Sequence, residues 1–201
     1  MDVGCNWGRW SISAARQGWD VVGIDPSLGA IMAARRAFPN ERNAMFVCGD
    51  ARFLPFKDNT FHCVFSYSVI QHFAESDAKA TLAEIGRVLS KNGCSKIQMA
   101  HRGRLRSRYV QIFSNNSRER VFRVRYWSLS DITRVFYKKI GPSIAIPEAF
   151  GGLGLLRDDW KIVSPTARVL IMMSIILKKA AQIIRPLIRL ADSVYVVSTK
   201  S

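Results

Sequence analysis

Along the first hundred residues, short apolar runs alternate with segments whose apolar positions recur every three or four residues. Val21-Val22-Gly23-Ile24 is β-branched and stops at Asp25. Met45-Phe46-Val47-Cys48 stops at Gly49-Asp50, and a third run extends from Phe61 to Tyr67 behind Lys57-Asp58-Asn59-Thr60. Ser95 to Ala100 forms a fourth. Runs of this length bounded by turn residues read as buried strands. Between them the spacing predicts helices over Trp10 to Gln17, Ser27 to Ala37 and Asp77 to Leu89. The last is expected to stop at Lys91-Asn92-Gly93, where Asn-Gly supplies left-handed residues. Strands alternating with helices of this length predict an α/β fold, a doubly wound, mostly parallel sheet with helices on both faces.

The second half has a different texture. Leu105 to Phe113 has helical spacing, and Ser128-Leu129-Ser130-Asp131 has capping-box form ahead of Ile132, Val135 and Phe136. Gly141-Pro142 ends that helix, Ser143 to Ile146 reads as a strand, and Gly151-Gly152-Leu153-Gly154 as a loop. Thr166 to Leu190 is a helical insertion broken at Pro186, followed by a closing strand over Ser193 to Ser198. At the other end, Gly4-Cys5-Asn6-Trp7-Gly8 reads as a strand-to-helix turn with only Met1, Asp2 and Val3 before it. A central parallel strand normally has about five residues. The expectation is a truncated first strand, or a protein whose start lies upstream of this Met1.

Charge divides the chain where the patterning does. The 201 residues are 48% hydrophobic and 22% charged, which excludes a largely disordered chain. The 30 Lys+Arg against 15 Asp+Glu give a net charge of +15 and a pI near 10.3. Residues 1–100 hold 11 basic and 9 acidic side chains, net +2, whereas residues 101–201 hold 19 and 6, net +13. The expected organisation is therefore a ligand-binding core over 1–100 and a basic half over 101–201 that completes the same domain. Eight arginines lie between Arg102 and Arg125, interleaved with Tyr109, Phe113 and Phe122. That pattern suits phosphate contact, on RNA or on a phosphorylated small molecule. Cys5, Cys48, Cys63 and Cys94 have neither metal-pair spacing nor disulfide density, so free thiols, no metal and a reducing cytoplasm are expected. No signal peptide is visible, and the longest uncharged apolar run, Val169 to Leu177, is far below the ~20 residues of a spanning helix. The basic, apolar segment 168–190 could instead lie in a membrane interface as a peripheral contact.

Candidate chemistry collects at the carboxyl ends of the predicted strands, where open α/β sheets bind ligands. Gly4 and Gly8 would allow close backbone approach. Asp25 ends the second strand, where a carboxylate can accept from a ribose diol, and Asp50 ends the third, where it can accept from an adenine amino group. A dinucleotide fingerprint fits poorly, because its glycines are spaced two and then three apart.

In this order the residues resemble the class I S-adenosylmethionine-dependent methyltransferases, particularly the small-molecule, type 11-like kind. Asp2-Val3-Gly4-Cys5-Asn6-Trp7-Gly8 is similar to that family's first motif, with Asn6 in place of its middle glycine. The resemblance continues through Gly23-Ile24-Asp25-Pro26-Ser27, Gly49-Asp50-Ala51 and Leu54-Pro55-Phe56-Lys57-Asp58-Asn59-Thr60-Phe61. It extends over Val69-Ile70-Gln71-His72-Phe73 and Glu84-Ile85-Gly86-Arg87-Val88-Leu89, about half the chain, with a fainter echo at Tyr126-Trp127-Ser128. His62 stands after Phe61 where the family usually has Asp.

The resemblance implies a Rossmann-like fold, S-adenosyl-L-methionine as cofactor, and a cofactor site built from Asp2, Gly4, Asn6, Gly8, Asp25, Pro26, Asp50, Ala51 and Ser66. Asp25 would take the ribose hydroxyls, Asp50 and the Ala51 backbone the adenine. His72 is the candidate base, with Tyr67, Gln71 and His101 at the same rim. The implied function is methyl transfer to a small-molecule or lipid-linked glycan acceptor, in a cytoplasmic protein with membrane contact open. The alternatives are an inactive cofactor- or partner-binding relative and an RNA methyltransferase using the Arg-rich segment. No Asn-Pro-Pro-Tyr or Asp-Pro-Pro-Tyr segment is present, which argues against adenine or amide nitrogen as acceptor.

Overall fold

The computed structural model describes residues 1–101, 124–150 and 164–201. The helix expected at Leu105–Phe113 and the loop at Gly151–Gly154 lie outside them. In chain order the elements are β1 (Asp2–Val3), α1 (Arg9–Ala15), β2 (Val21–Asp25), α2 (Leu28–Ala37), β3 (Ala44–Cys48) and β4 (Phe61–Ser66). A 3₁₀ turn at Ile70–His72 leads into α3 (Glu75–Val88) and β5 (Leu89–Ala100). Then come α4 (Leu129–Lys139), β6 (Ser143–Ala149), α5 (Pro165–Ile183), a 3₁₀ segment at Arg185–Leu190, and β7 (Ser193–Thr199).

The seven strands form one sheet in the order β3-β2-β1-β4-β5-β7-β6. Strands β1 to β5 pair in parallel, and β7 runs antiparallel to both neighbours. The chain winds outward from β1 through β2 to β3, then returns to β4 on the other side of β1. That reversal opens a crevice at the carboxyl ends of β1 and β4. β1 has two residues, yet it pairs with both sides, Asp2 opposite Gly23 and Phe65.

Two-residue alternation along the strands feeds two cores. Val3, Val64, Ile97, Val194 and Val196 face α3 and α4, meeting Leu82, Ile85, Ile132 and Phe136. On the other face Cys5, Ile12, Ile31, Ala34 and Phe46 form a smaller cluster under α1 and α2. Each large side chain so buried contributes roughly 1.5–3 kcal/mol. Helix starts follow their capping residues. Ser27 Oγ accepts from Ala30 N at 3.2 Å, and Ser128 Oγ accepts from Asp131 N at 3.1 Å, as its capping-box form predicts.

The end of α3 departs from expectation. Asn92-Gly93 does not cap it; the helix stops at Val88 and passes directly into β5. Its last carbonyls are taken from outside: Asn59 N donates to Arg87 O, Thr60 N to Val88 O, and Lys200 Nζ to Leu89 O at 2.7 Å. Asn92, at φ +62, lies in a bulge where Phe61 pairs with Leu89 but Cys63 already pairs with Cys94.

Candidate functional site

The crevice holds a cavity of about 970 Å³ lined by the turns after β1, β2, β3 and β4. Of the residues expected at a ligand site, Gly4, Asn6, Asp25, Pro26, Asp50, Ala51 and His72 all line it. Gly4 has φ +75, and a Cβ there would lie 2.3 Å from Val69 Cγ2. No other residue type fits, because the left-handed backbone and the close wall both exclude a side chain. Asn6, also left-handed at φ +49, donates its N–H to Asp25 Oδ2 at 3.0 Å, while Ser27 N donates to Oδ1 at 2.9 Å. Each Asp25 oxygen keeps a further lone pair toward the cavity, which is the acceptor pair a vicinal diol requires.

Three expected residues stand behind the lining. Asp2 is 4% exposed and accepts from Ser11 Oγ at 2.7 Å, on the face covered by α1. Burial pushes its carboxyl above the usual range, and the Ser11 hydroxyl opposes that rise. A Cβ on Gly8 would strike Phe46 at 2.7 Å, so this glycine serves helix packing. Ser66 is fully buried and donates to Val3 O at 2.9 Å, tying β4 to β1.

Asp50 has a partner that its motif did not announce. Arg52 folds back on it: Arg52 N and Nε donate to Oδ1, and Nε and Nη2 to Oδ2, the last at 2.6 Å. The guanidinium beside it holds the Asp50 carboxyl below the usual range. Arg52 also reaches Asp77 on α3 at 3.3 Å, so this pair spans the turn after β3 and the start of α3. Arg9 and Arg125 line the cavity as well, giving three arginines against Asp25, Asp50 and Asp77. Arg9 and Arg52 follow the matched motifs by one residue, a position whose side-chain direction no spacing rule fixes.

His72 lies in the 3₁₀ turn at Ile70–His72, ahead of α3. The turn is held from two sides. Ser68, at φ +59, accepts from Gln71 Nε2 at 2.7 Å, and Arg125 donates from its backbone to Gln71 O and from its guanidinium to His72 O. A left-handed serine costs of order 1–3 kcal/mol, a strain found mainly at functional sites. Arg125 is the one member of the Arg102–Arg125 set among the described residues.

In the cavity wall, Tyr67 packs between Trp10 and Tyr195, with ring centroids 5.5 and 6.3 Å away. Glu148 lies beside both phenols and accepts from Ser193 Oγ. Burial first, and then Glu148, pushes both phenols up, so each stays a neutral donor. Gln98, opposite Tyr195 in the β5–β7 pairing, is 7% exposed and its Oε1 has no partner among the described residues. His101, considered for the same rim, is buried with its Nδ1 3.0 Å from Ala191 O. All four cysteines are free; Cys5 is buried and Cys48 exposed, and Cys63 and Cys94 sit with sulfurs 3.8 Å apart.

Residues 1–93 match the family model described as Methyltransferase domain. Demethylmenaquinone methyltransferase of Staphylococcus saprophyticus is 33% identical over 96 residues, 46% of this chain and 40% of the relative. The biotin biosynthesis bifunctional protein BioHC of Cellvibrio japonicus is 32% identical over 105 residues, 52% of this chain and 20% of the relative. The chain thus spans from 20% to 40% of the length of these curated relatives. Among solved structures, the YcgJ protein of Bacillus subtilis superimposes with a TM-score of 0.67 at 19% identity, covering 99% of this chain and 90% of that one. A SAM-dependent methyltransferase of Methanosarcina mazei gives 0.64 at 15% identity, covering 99% and 90%. These likenesses concern the fold. Motif order, sheet topology and the family model coincide: residues 1–93 carry a methyltransferase domain on a Rossmann-like sheet.

Proposed function

We propose that this chain binds S-adenosylmethionine in the β1–β4 crevice and transfers its methyl group to a small-molecule acceptor, free or carried on a lipid-linked glycan. The observation that carries the reading is Asp25. Its two oxygens are each anchored by one backbone N–H, yet both remain available at the mouth of a cavity whose other wall has room only for glycine. When bound, the cofactor supplies a methyl group on a sulfonium, already activated for transfer.

The protein's own task is alignment. Asp25 accepts from the ribose hydroxyls, Gly4 lets the backbone close on the methionine part, and Asp50 with the Ala51 backbone receives the adenine. Holding an acceptor in line within such a cavity contributes up to roughly 7–11 kcal/mol by proximity alone. His72 faces the acceptor side and takes its proton if the acceptor is a hydroxyl or an amine. Arg125 keeps the His72 turn in place through the His72 carbonyl, and Tyr67 closes the wall beside it. The curated relatives' names support a small molecule as acceptor class: demethylmenaquinone in one, and a step of biotin biosynthesis in the other.

Titration calorimetry with S-adenosylmethionine and S-adenosylhomocysteine tests this. One-to-one binding is expected for the chain, and Asp25→Ala removes an acceptor of two hydrogen bonds to a charged group. At roughly 1.5–3 kcal/mol each, that weakens binding by about a hundredfold or more. Absence of binding by the unsubstituted chain overturns the reading.

A further inference from the structure

Helix α5 presents an apolar face that none of the described residues covers. Ile171 and Ala181 are buried, and Leu177 packs on the main core. Around the helix from them, Val169, Met172, Met173, Ile176 and Ile183 are 48% to 85% exposed. Their spacing is that of one helical stripe, and exposed Ile184 continues it. Single exposed apolar side chains are ordinary, whereas a contiguous stripe marks a contact surface.

The charge around the stripe says what it meets. From Pro165 to Leu190 the chain carries Arg168, Lys178, Lys179, Arg185 and Arg189 and no acidic residue. A second copy seated on this face across a two-fold axis would set cations against cations with no carboxylate to pair them. An anionic surface complements them. Among the described residues no helix is long and apolar enough to cross a membrane. An apolar stripe with cations along it, too charged to span, fits a helix lying in the plane of a lipid interface. Lysine and arginine stems lie along the apolar surface while their heads reach the headgroups.

Position ties the surface to the site. α5 connects the end of β6 to the start of β7, and Ser174 Oγ accepts from Phe150 N at 3.3 Å just past β6. β6 runs parallel to β5, because each is antiparallel to β7, so its end lies at the same sheet edge as the cavity. We propose that α5 and the 3₁₀ segment after it dock the protein on an anionic bilayer surface, at the edge of the sheet that carries the cavity. The docking is independent of the methyl-transfer reading.

Co-sedimentation of the full chain with extruded vesicles tests it, using phosphatidylcholine alone and phosphatidylcholine with one-quarter phosphatidylglycerol. Binding to the anionic vesicles is expected to exceed binding to the neutral ones at least tenfold and to fall in high salt. Met172→Glu with Ile176→Glu abolishes it, with the circular dichroism melting curve unchanged because both side chains are exposed. Lys179→Gln, Arg185→Gln and Arg189→Gln together weaken it on the order of a hundredfold, at about fivefold per cation. No pelleting with anionic vesicles overturns the proposal, as does equal pelleting with both vesicle types or by the Met172→Glu, Ile176→Glu variant. So does a dimer in sedimentation equilibrium that this variant converts to a monomer, since a second copy would then cover the face.

Discussion

Gly4→Ala separates the two demands that the first turn places on its residue. At φ +75 an alanine has its Cβ against the following carbonyl, a backbone cost of roughly 1–2 kcal/mol. The same Cβ would lie 2.3 and 2.8 Å from the two methyls of Val69 and 3.0 Å from its Cβ. Val69 has no far flexible end to swing aside, so the wall itself must move, an overpacking cost of typically 1–3 kcal/mol. The expected total is roughly 2–5 kcal/mol. Val69→Ala removes both methyls and so relieves the second cost but not the first. In a double-mutant cycle read by urea unfolding, Gly4→Ala and Val69→Ala should therefore couple favourably by about 1–3 kcal/mol, leaving a residue of about 1–2 kcal/mol from the backbone. S-adenosylhomocysteine titration of the double variant should still show weakened binding, because the added methyl occupies the cavity wall. Coupling below about 0.5 kcal/mol would show that Val69 does not press on Gly4 and would refute this account.

Three further outcomes follow from the same contacts. Gly86→Ala should destabilise by roughly 1–3 kcal/mol in thermal unfolding although alanine is the better helix former. Its Cβ would lie 2.2 Å from Lys139 O, where α3 meets the end of α4; equal or greater stability would show that α4 yields freely. Arg52→Gln should tighten S-adenosylhomocysteine binding modestly, since an exposed ion pair is weak and its removal frees Asp50; weaker binding would show that Arg52 itself contacts the ligand. Glu84 accepts from Arg87 and from Leu54 N, and the Arg87 guanidinium holds its carboxyl below the ordinary 4.5. A depressed carboxylate adds stability that is present above the unfolded value and is lost as the pH falls through the folded one. The stability gap between the chain and Glu84→Gln should therefore be constant near neutrality and shrink progressively below pH 4.5; a gap that persists in acid would mean that the carboxylate's charge is not what matters.

Local pattern alone placed most of the first hundred residues. β-branched runs, Gly-Asp strand ends and a serine cap are signals within a few residues of one another, and a motif that wraps one ligand has to keep its parts in order. Asp25, Asp50 and His72 were legible for that reason. Asp2 was named beside them, but alternation along β1 puts Val3 in the main core and sends Asp2 to the α1 face, where Ser11 holds it. Arg52, Arg9 and Ser68 left no trace of their roles, because those depend on which carboxylate or carbonyl the fold brings near. The same holds for the end of α3. Asn92-Gly93 has the chemistry of a helix cap, and only the arrival of Lys200 and the Asn59–Thr60 backbone at the last carbonyls makes it a bulge instead. The sequence by itself therefore determined the alternation of strands and helices, the order of the motifs and the uneven charge of the two halves. Tertiary structure decided which side chains face the cavity, which acid is already paired and, among the described residues, which face of α5 is exposed, because burial and partnership are settled by residues far apart in the chain.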